Sequence, residues 1–205
     1  MLKAVIFDYD GTLVDTIPQI YGEYLRAMKI LGLREIGFDE FKRVIGLPWE
    51  NVLTTLWPGI DVSEFSKVYR SGMESPKPFQ DMDEVLRRLS KDYVLAMLTS
   101  RGEKTLTQQV NSLSLDMGLF KRVFHRNNTL YHKPDGRALK QVCESLSIAS
   151  SDAVYVGDGF VDAECARNAG CRFIGVLSGG LSREDFEGVG VSEVISSISF
   201  LPKVL

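Results

Sequence analysis

The chain has little of what would commit it to a membrane, a nucleic acid or an oxidising compartment. Its 205 residues include only three cysteines and two histidines. Cys143, Cys165 and Cys171 are scattered and odd in number, with no paired metal-ligand spacing. A disulfide scaffold is therefore not expected, and a reducing, cytoplasmic setting is. No run of Lys or Arg makes a basic stripe, and the net charge is -3, so nucleic acid is not an expected partner. Val94-Leu95-Ala96-Met97-Leu98 is far too short to span a bilayer. Asp8 interrupts the N-terminal apolar stretch too early for the core of a signal peptide. No internal repeat or low-complexity tract is present, and a monomer is the default expectation.

What the chain does have is enough apolar residues, 44%, for one large domain or a core with a small accessory domain. Its most informative stretch runs from Phe7 to Thr16. The apolar run Ala4-Val5-Ile6-Phe7 ends in Asp8-Tyr9-Asp10-Gly11-Thr12. A short apolar run stopped by polar residues and glycine predicts a central strand of a parallel sheet. Ligands of open α/β sheets bind outside the carboxyl ends of the strands, so the two acids stand where chemistry is expected. Asp8 can act as a nucleophile and Asp10 can exchange a proton with the reacting oxygens. A calcium loop needs further oxygen ligands at alternate positions, and Thr12, Val14 and Thr16 do not supply that series.

Three more apolar runs, Val94 to Leu98, Ala153 to Val156 and Phe173 to Val176, each follow a helical pattern. Strands alternating with helices predict an α/β fold, a doubly wound parallel-sheet core of Rossmann-like type. Residues 16–78 break the alternation. Ile17, Ile20, Tyr21, Tyr24, Met28 and Leu31 repeat at three and four, predicting an amphipathic helix that stops near Gly32. Asp39 is expected to cap a short helix carrying Phe41, Val44 and Ile45. Gly46-Leu47-Pro48 breaks it before another with Val52, Leu53 and Leu56. Asp61 with Glu64 predicts a capping box for a helix presenting Phe65, Val68 and Tyr69. Pro76-Lys77-Pro78 ends the helical run. The expected organisation is a catalytic core of 1–15 and 79–205, with a helical cap at 16–78 that can close over the acids.

Polar residues recur after the later runs. Thr99-Ser100-Arg101 follows Val94–Leu98; its hydroxyls and backbone N–H groups could hold phosphate oxygens, or Thr99 could simply cap the next helix. Lys133 precedes a helix beginning near Asp135. It could offset carboxylate repulsion and bind phosphate, or be a solvated surface lysine. Gly157-Asp158-Gly159-Phe160-Val161-Asp162 follows Ala153–Val156. Its acids suit a hard cation such as Mg²⁺. Asp162 has two readings, a ligand in or near the metal's coordination and a helix N-terminal acid.

Together, Asp8-x-Asp10-Gly11-Thr12, Thr99, Lys133 and Gly157-Asp158-x-x-x-Asp162 resemble, in order, the four motifs of the haloacid dehalogenase superfamily. The resemblance covers nearly the whole chain, and the insert at 16–78 is similar to the family's C1 cap. It implies that Asp8 is the nucleophile that becomes an aspartyl phosphate. Asp10 is then the general acid and later the base, while Thr99 and Lys133 hold the phosphoryl group. Asp8, the Asp10 backbone carbonyl and Asp158 are implied ligands of Mg²⁺. The expected function is Mg²⁺-dependent hydrolysis of a small phosphorylated metabolite. A sugar phosphomutase and a non-catalytic phosphate-binding module are the alternatives. β-Phosphoglucomutases usually carry a cap histidine shortly after the first motif, and 16–78 contain none. Residues 41–48 resemble the specificity region of phosphoglycolate phosphatase-like members. That makes phosphoglycolate the candidate substrate, with Arg43 either meeting its carboxylate or facing solvent. Two positions depart from the family pattern: Gly159 replaces a common Ser or Thr, and Asp81 a common glycine.

Overall fold

The computed structural model describes residues 1–70 and 76–205; residues 71–75, which belong to the predicted cap, lie outside the described residues. The chain runs β1 (Ala4–Phe7), β2 (Val14–Asp15), α1 (Ile17–Leu31), α2 (Phe38–Phe41), α3 (Trp49–Leu56), α4 (Val62–Val68), β3 (Lys77–Pro78) and α5 (Met82–Leu89). It continues through β4 (Val94–Leu98), α6 (Glu103–Leu113), β5 (Phe120–Phe124), α7 (Arg137–Ser145), β6 (Ala153–Gly157), α8 (Phe160–Ala169), β7 (Arg172–Val176), α9 (Arg183–Gly188) and β8 (Val194–Ile195).

Six strands form one sheet in the order β5-β4-β1-β6-β7-β8, and every pairing is parallel. Helices cover both faces, which is why β1 is apolar at all four positions and wholly buried. Val5 and Phe7 face one layer with Val85, Leu86, Leu95 and Met97. Ala4 and Ile6 face the other with Leu139, Val142 and Ala166. This is the doubly wound fold expected from the strand runs. β1 lies between β4 and β6, with Phe7 in register with both Met97 and Val156. Crossovers therefore diverge on either side of β1, and its carboxyl end opens the crevice where such sheets bind ligands.

The helices α1–α4 hold a separate apolar cluster. Pro18 lies in the first turn of α1, where its missing N–H costs nothing, and Gly32 closes the helix at φ 62° with its N–H on the Met28 carbonyl. Tyr24 is the hub: its ring lies 5.1 Å from Phe41, 5.5 Å from Phe65 and 5.2 Å from Tyr69, centroid to centroid. Truncating such a buried aromatic typically costs about 3–5 kcal/mol. Between these helices and the core run β2 and β3, paired antiparallel as Val14 with Pro78 and Asp15 with Lys77. This short ribbon was not visible as strand, because two residues offer no alternation.

The segment is seated on the core by specific contacts. The Ser100 hydroxyl donates to the Gly46 carbonyl at 2.5 Å. Lys42 Nζ lies 3.0 Å from Asp185 and 3.0 Å from Asp39. Two local expectations change. Gly37, not Asp39, is the residue before α2, and Asp39 lies in its first turn. Helix α2 ends at Phe41, so Val44 and Ile45 lie in hydrogen-bonded turns beyond it. Asp61 does cap α4, accepting from the Ser63 and Glu64 N–H groups, while the Glu64 side chain turns to Lys67 instead of completing the box.

Candidate active site

Four loops meet at the carboxyl edge of the sheet. Asp8 follows β1, and its N–H donates to the Val156 carbonyl at 2.9 Å, extending the β6 ladder by one residue. Thr99 follows β4 in the same way, bonded to the Phe124 carbonyl. Asp158 follows β6, and Asp162 lies in the first turn of α8. Lys133 arrives from the loop between β5 and α7. Asp8, Thr99, Lys133, Asp158 and Asp162 are all buried, none more than 5% exposed.

Lys133 is the electrostatic centre. Its Nζ lies 3.0 Å from Asp8 Oδ1, 2.7 Å from Asp162 Oδ1 and 3.1 Å from the Tyr155 hydroxyl. Tyr155 donates to Asp162 Oδ1 at 2.8 Å. Burial by itself lowers the proton affinity of Lys133, but Asp162 and Asp8 outweigh it and hold the ammonium protonated above its ordinary value. The acids feel the reverse. Burial raises the Asp8 carboxyl to about 7; Lys133 opposes this, while Asp162 and Asp10 add repulsion. Asp158 is pushed well above the usual carboxylate range by burial, then by Asp162 and Asp8. One lysine therefore does not neutralise the cluster.

Asp8, Asp158 and Asp162 can each place a ligand atom within 4.8 Å of the other two. An oxygen-only donor set that retains excess negative charge fits a hard divalent cation. Asp162 is already committed to Lys133, Tyr155 and the Gly159 N–H. Asp8 and Asp158 are thus the better side-chain donors, and Asp162 orients Lys133. The Asp158 carboxylate is tightly cradled. Thr12 donates to its Oδ1 at 3.0 Å. A Cβ on Gly11 or on Gly179 would fall 2.2 Å or 1.7 Å from its Oδ2, so both positions require glycine. Gly11 also takes φ 70°, open to glycine at no steric cost.

Asp10 stands at the edge of the cluster and is only partly buried. Arg101 grips it from two nitrogens, with Nε 3.0 Å from Oδ2, and the Thr16 hydroxyl donates to Oδ1 at 2.7 Å. Thr99 Oγ1 accepts the Arg101 N–H at 3.1 Å, so the loop after β4 is folded around its own hydroxyl. Ser100 lines the cavity but its hydroxyl is engaged by Gly46. Arg43 is not brought to the site. It is exposed, lies 6.0 Å over the Phe160 ring, and faces an outer groove with Glu164 and Arg167. Its helical turn buries Val44 and presents Arg43 outward.

With this geometry in view, similarity to known proteins is informative. The family model described as haloacid dehalogenase-like hydrolase matches residues 5–176. The chain belongs to that family. PpaX of Clostridium perfringens, provisionally named a pyrophosphatase, is 30% identical over 185 residues, spanning 86% of this chain and 84% of its own length. A phosphoglycolate phosphatase of Caulobacter vibrioides is 28% identical over 213 residues, 98% of this chain and 89% of its own. A haloacid dehalogenase-like hydrolase of Bacteroides fragilis superposes with a TM-score of 0.84 over 98% of this chain and 100% of its own, at 24% identity. This haloacid dehalogenase-like enzyme is therefore a hydrolase, and the two sequence relatives above carry phosphatase names.

Several residues around the site were not assigned from sequence. Tyr155 carried a signal, since a hydroxyl inside an otherwise apolar central strand needs a partner when buried. Thr12 lay within the first motif and Arg101 beside Thr99, but their partners, Asp158 and Asp10, come from distant strands. Only the parallel register brings them together.

Proposed function

We propose that this enzyme hydrolyses a phosphomonoester through an aspartyl phosphate on Asp8, with Mg²⁺ held by Asp8, Asp158 and the Asp10 backbone carbonyl. The observation that carries the proposal is the placement of Lys133 Nζ 3.0 Å from Asp8 Oδ1, inside a buried acid cluster that retains excess negative charge. A lysine there can hold a phosphoryl oxygen beside the nucleophile. A bound Mg²⁺ would relieve the carboxylate repulsion and polarise the phosphoryl group.

The chain's own residues divide the remaining work. An Asp8 carboxylate oxygen attacks phosphorus, and the ester P–O bond breaks. Asp10 gives its proton to the departing alcohol oxygen. The Thr99 hydroxyl and Lys133 ammonium hold the equatorial oxygens, whose charge persists through the transfer. Asp10, now a carboxylate, takes a proton from water as that water attacks phosphorus. The Asp8 oxygen leaves as carboxylate, and inorganic phosphate is released. Arg101 and Thr16 orient Asp10 between the two steps. The segment 16–78 serves as a cap that keeps bulk water from the acyl phosphate. The buried, free cysteines suit a reducing cytoplasm.

The test is phosphate release from a panel of phosphorylated metabolites with and without Mg²⁺. Metal-dependent turnover that disappears in Asp8→Asn supports the mechanism. Turnover by Asp8→Asn at the wild-type rate excludes it.

A further inference from the structure

The cavity over Asp8 has two unlike walls. Its volume is about 460 Å³, in the range of pockets that take drug-sized ligands rather than two-carbon acids. The core wall carries the polar residues already described. The opposite wall is apolar and partly aromatic, built by Ile20, Tyr24, Leu47, Trp49, Val52 and Tyr69. Trp49 and Tyr69 have ring centroids 5.8 Å apart at 38°, and Tyr24 and Tyr69 lie 5.2 Å apart. The cations that line the cavity, Arg101, Lys104, Arg126 and Lys133, all come from the core. Among the described residues of 16–70, no Lys, Arg or His reaches it. Residues 71–75, Ser-Gly-Met-Glu-Ser, contain no cationic side chain.

We propose that the leaving group carries a flat ring of nucleoside or vitamin-ring size, seated against Trp49 and Tyr69. This rests on the phosphomonoesterase reading of the same site and narrows its substrate. The phosphate fixes one end of the ester at Asp8, Thr99 and Lys133, so whatever the phosphate carries is directed at the apolar wall. A carboxylate facing that wall would lose water without gaining a cation, an unfavourable transfer. It would also leave most of the volume filled by water against aromatic surface. A planar ring removes that surface from water and gains stacking, which is tolerant of the ring's identity. Arg43, the one cap cation placed by sequence at a substrate carboxylate, faces the outer groove instead.

The experiment compares primary alkyl esters, so that leaving-group reactivity is matched. kcat/KM is measured with Mg²⁺ for uridine 5′-monophosphate, pyridoxal 5′-phosphate, ethyl phosphate and phosphoglycolate. The ring esters should exceed ethyl phosphate and phosphoglycolate by about tenfold or more, mainly through KM, and Trp49→Ala should reduce that advantage about tenfold, the size of one lost stack. A readout independent of any variant's folding is product inhibition of the wild type. Uridine or pyridoxal should compete with substrate, and glycolate should not. Phosphoglycolate as the preferred substrate, with ring esters inert and their alcohols non-inhibitory, would overturn this inference while leaving the phosphatase reading intact. Phosphate release from none of the four esters, nor from any ester of the metabolite panel, would overturn the phosphatase reading as well.

Discussion

Replacing Asp8 with asparagine removes a charge from a site that already holds too many. The folded carboxyl sits at about 7 against an ordinary 3.8. Its folded form thus binds the proton more tightly than its unfolded form. Wild-type stability from this group is complete below the unfolded value and is lost as pH rises through the folded one. A displacement of about three units corresponds to about 4 kcal/mol once the group is ionised. That displacement already contains the attraction of Lys133, so the asparagine variant, which carries neither the charge nor the ion pair, gains at most about 4 kcal/mol. For a chain of this length that is a rise of at most about 8–16 °C in melting temperature. Metal-free protein, kept so with a chelator, is melted at intervals from pH 4.5 to 8.5. The Asp8→Asn variant should melt higher than wild type by a gap that widens up to about pH 7 and is constant above it. Adding Mg²⁺ should close or reverse the gap, because the wild type gains more binding energy. A variant that melts lower at every pH, or a gap indifferent to pH, would refute this account of the acid cluster.

Three further perturbations follow from the same geometry. Asp162→Ala deprives Lys133 of its nearest partner and Tyr155 of its acceptor, and should cost about 3–5 kcal/mol by chemical denaturation, as broken buried pairs do; a loss under 1 kcal/mol would contradict the role given to Lys133. Arg101→Ala frees Asp10 and should lower kcat by about 10²-fold for an alkyl phosphate, whose leaving oxygen needs a proton, and much less for a nitrophenyl ester; equal losses would remove Arg101 from the proton-transfer machinery. Gly179→Ala places a methyl group where the Asp158 carboxylate lies, and should weaken Mg²⁺ binding about tenfold or more in calorimetry, while an unchanged affinity would show that Asp158 does not hold the metal.

The residues that meet at the carboxyl edge left a clearer local trace in the sequence than some strands of the sheet did. Asp8, Asp10, Thr99, Lys133 and Asp158 follow apolar runs or precede helices, and such junctions leave a local trace. β5 was missed because its burial is partial: Phe120-Lys121-Arg122-Val123-Phe124 is an edge strand with two exposed cations, a pattern that reads as loop. β8 has only two residues and is recognisable only by its pairing with β7. The partners of Asp10 and Asp158 were illegible for a different reason. Arg101 lies 91 residues from Asp10 and Thr12 lies 146 from Asp158, and no local pattern encodes such distances. Arg43 shows the converse limit. A basic residue in the right segment suggested a substrate contact, but burial of Val44 rotates it away from the cavity. Asp81, where the resemblance led one to expect glycine, adopts φ 63°, so an aspartate there costs backbone strain without touching the acid cluster.

The central claim is a covalent phosphoryl group on Asp8, and chemical trapping tests it most directly. Wild-type enzyme turning over a saturating phosphomonoester with Mg²⁺ is quenched within one turnover and reduced with borohydride, which converts an acyl phosphate to the corresponding alcohol. Peptide mass spectrometry should then find homoserine in place of aspartate at position 8, and at no other acidic residue of the site. Reduction at Asp10 or Asp158 instead, or an unmodified position 8 in a sample that releases phosphate at the full rate, would contradict it.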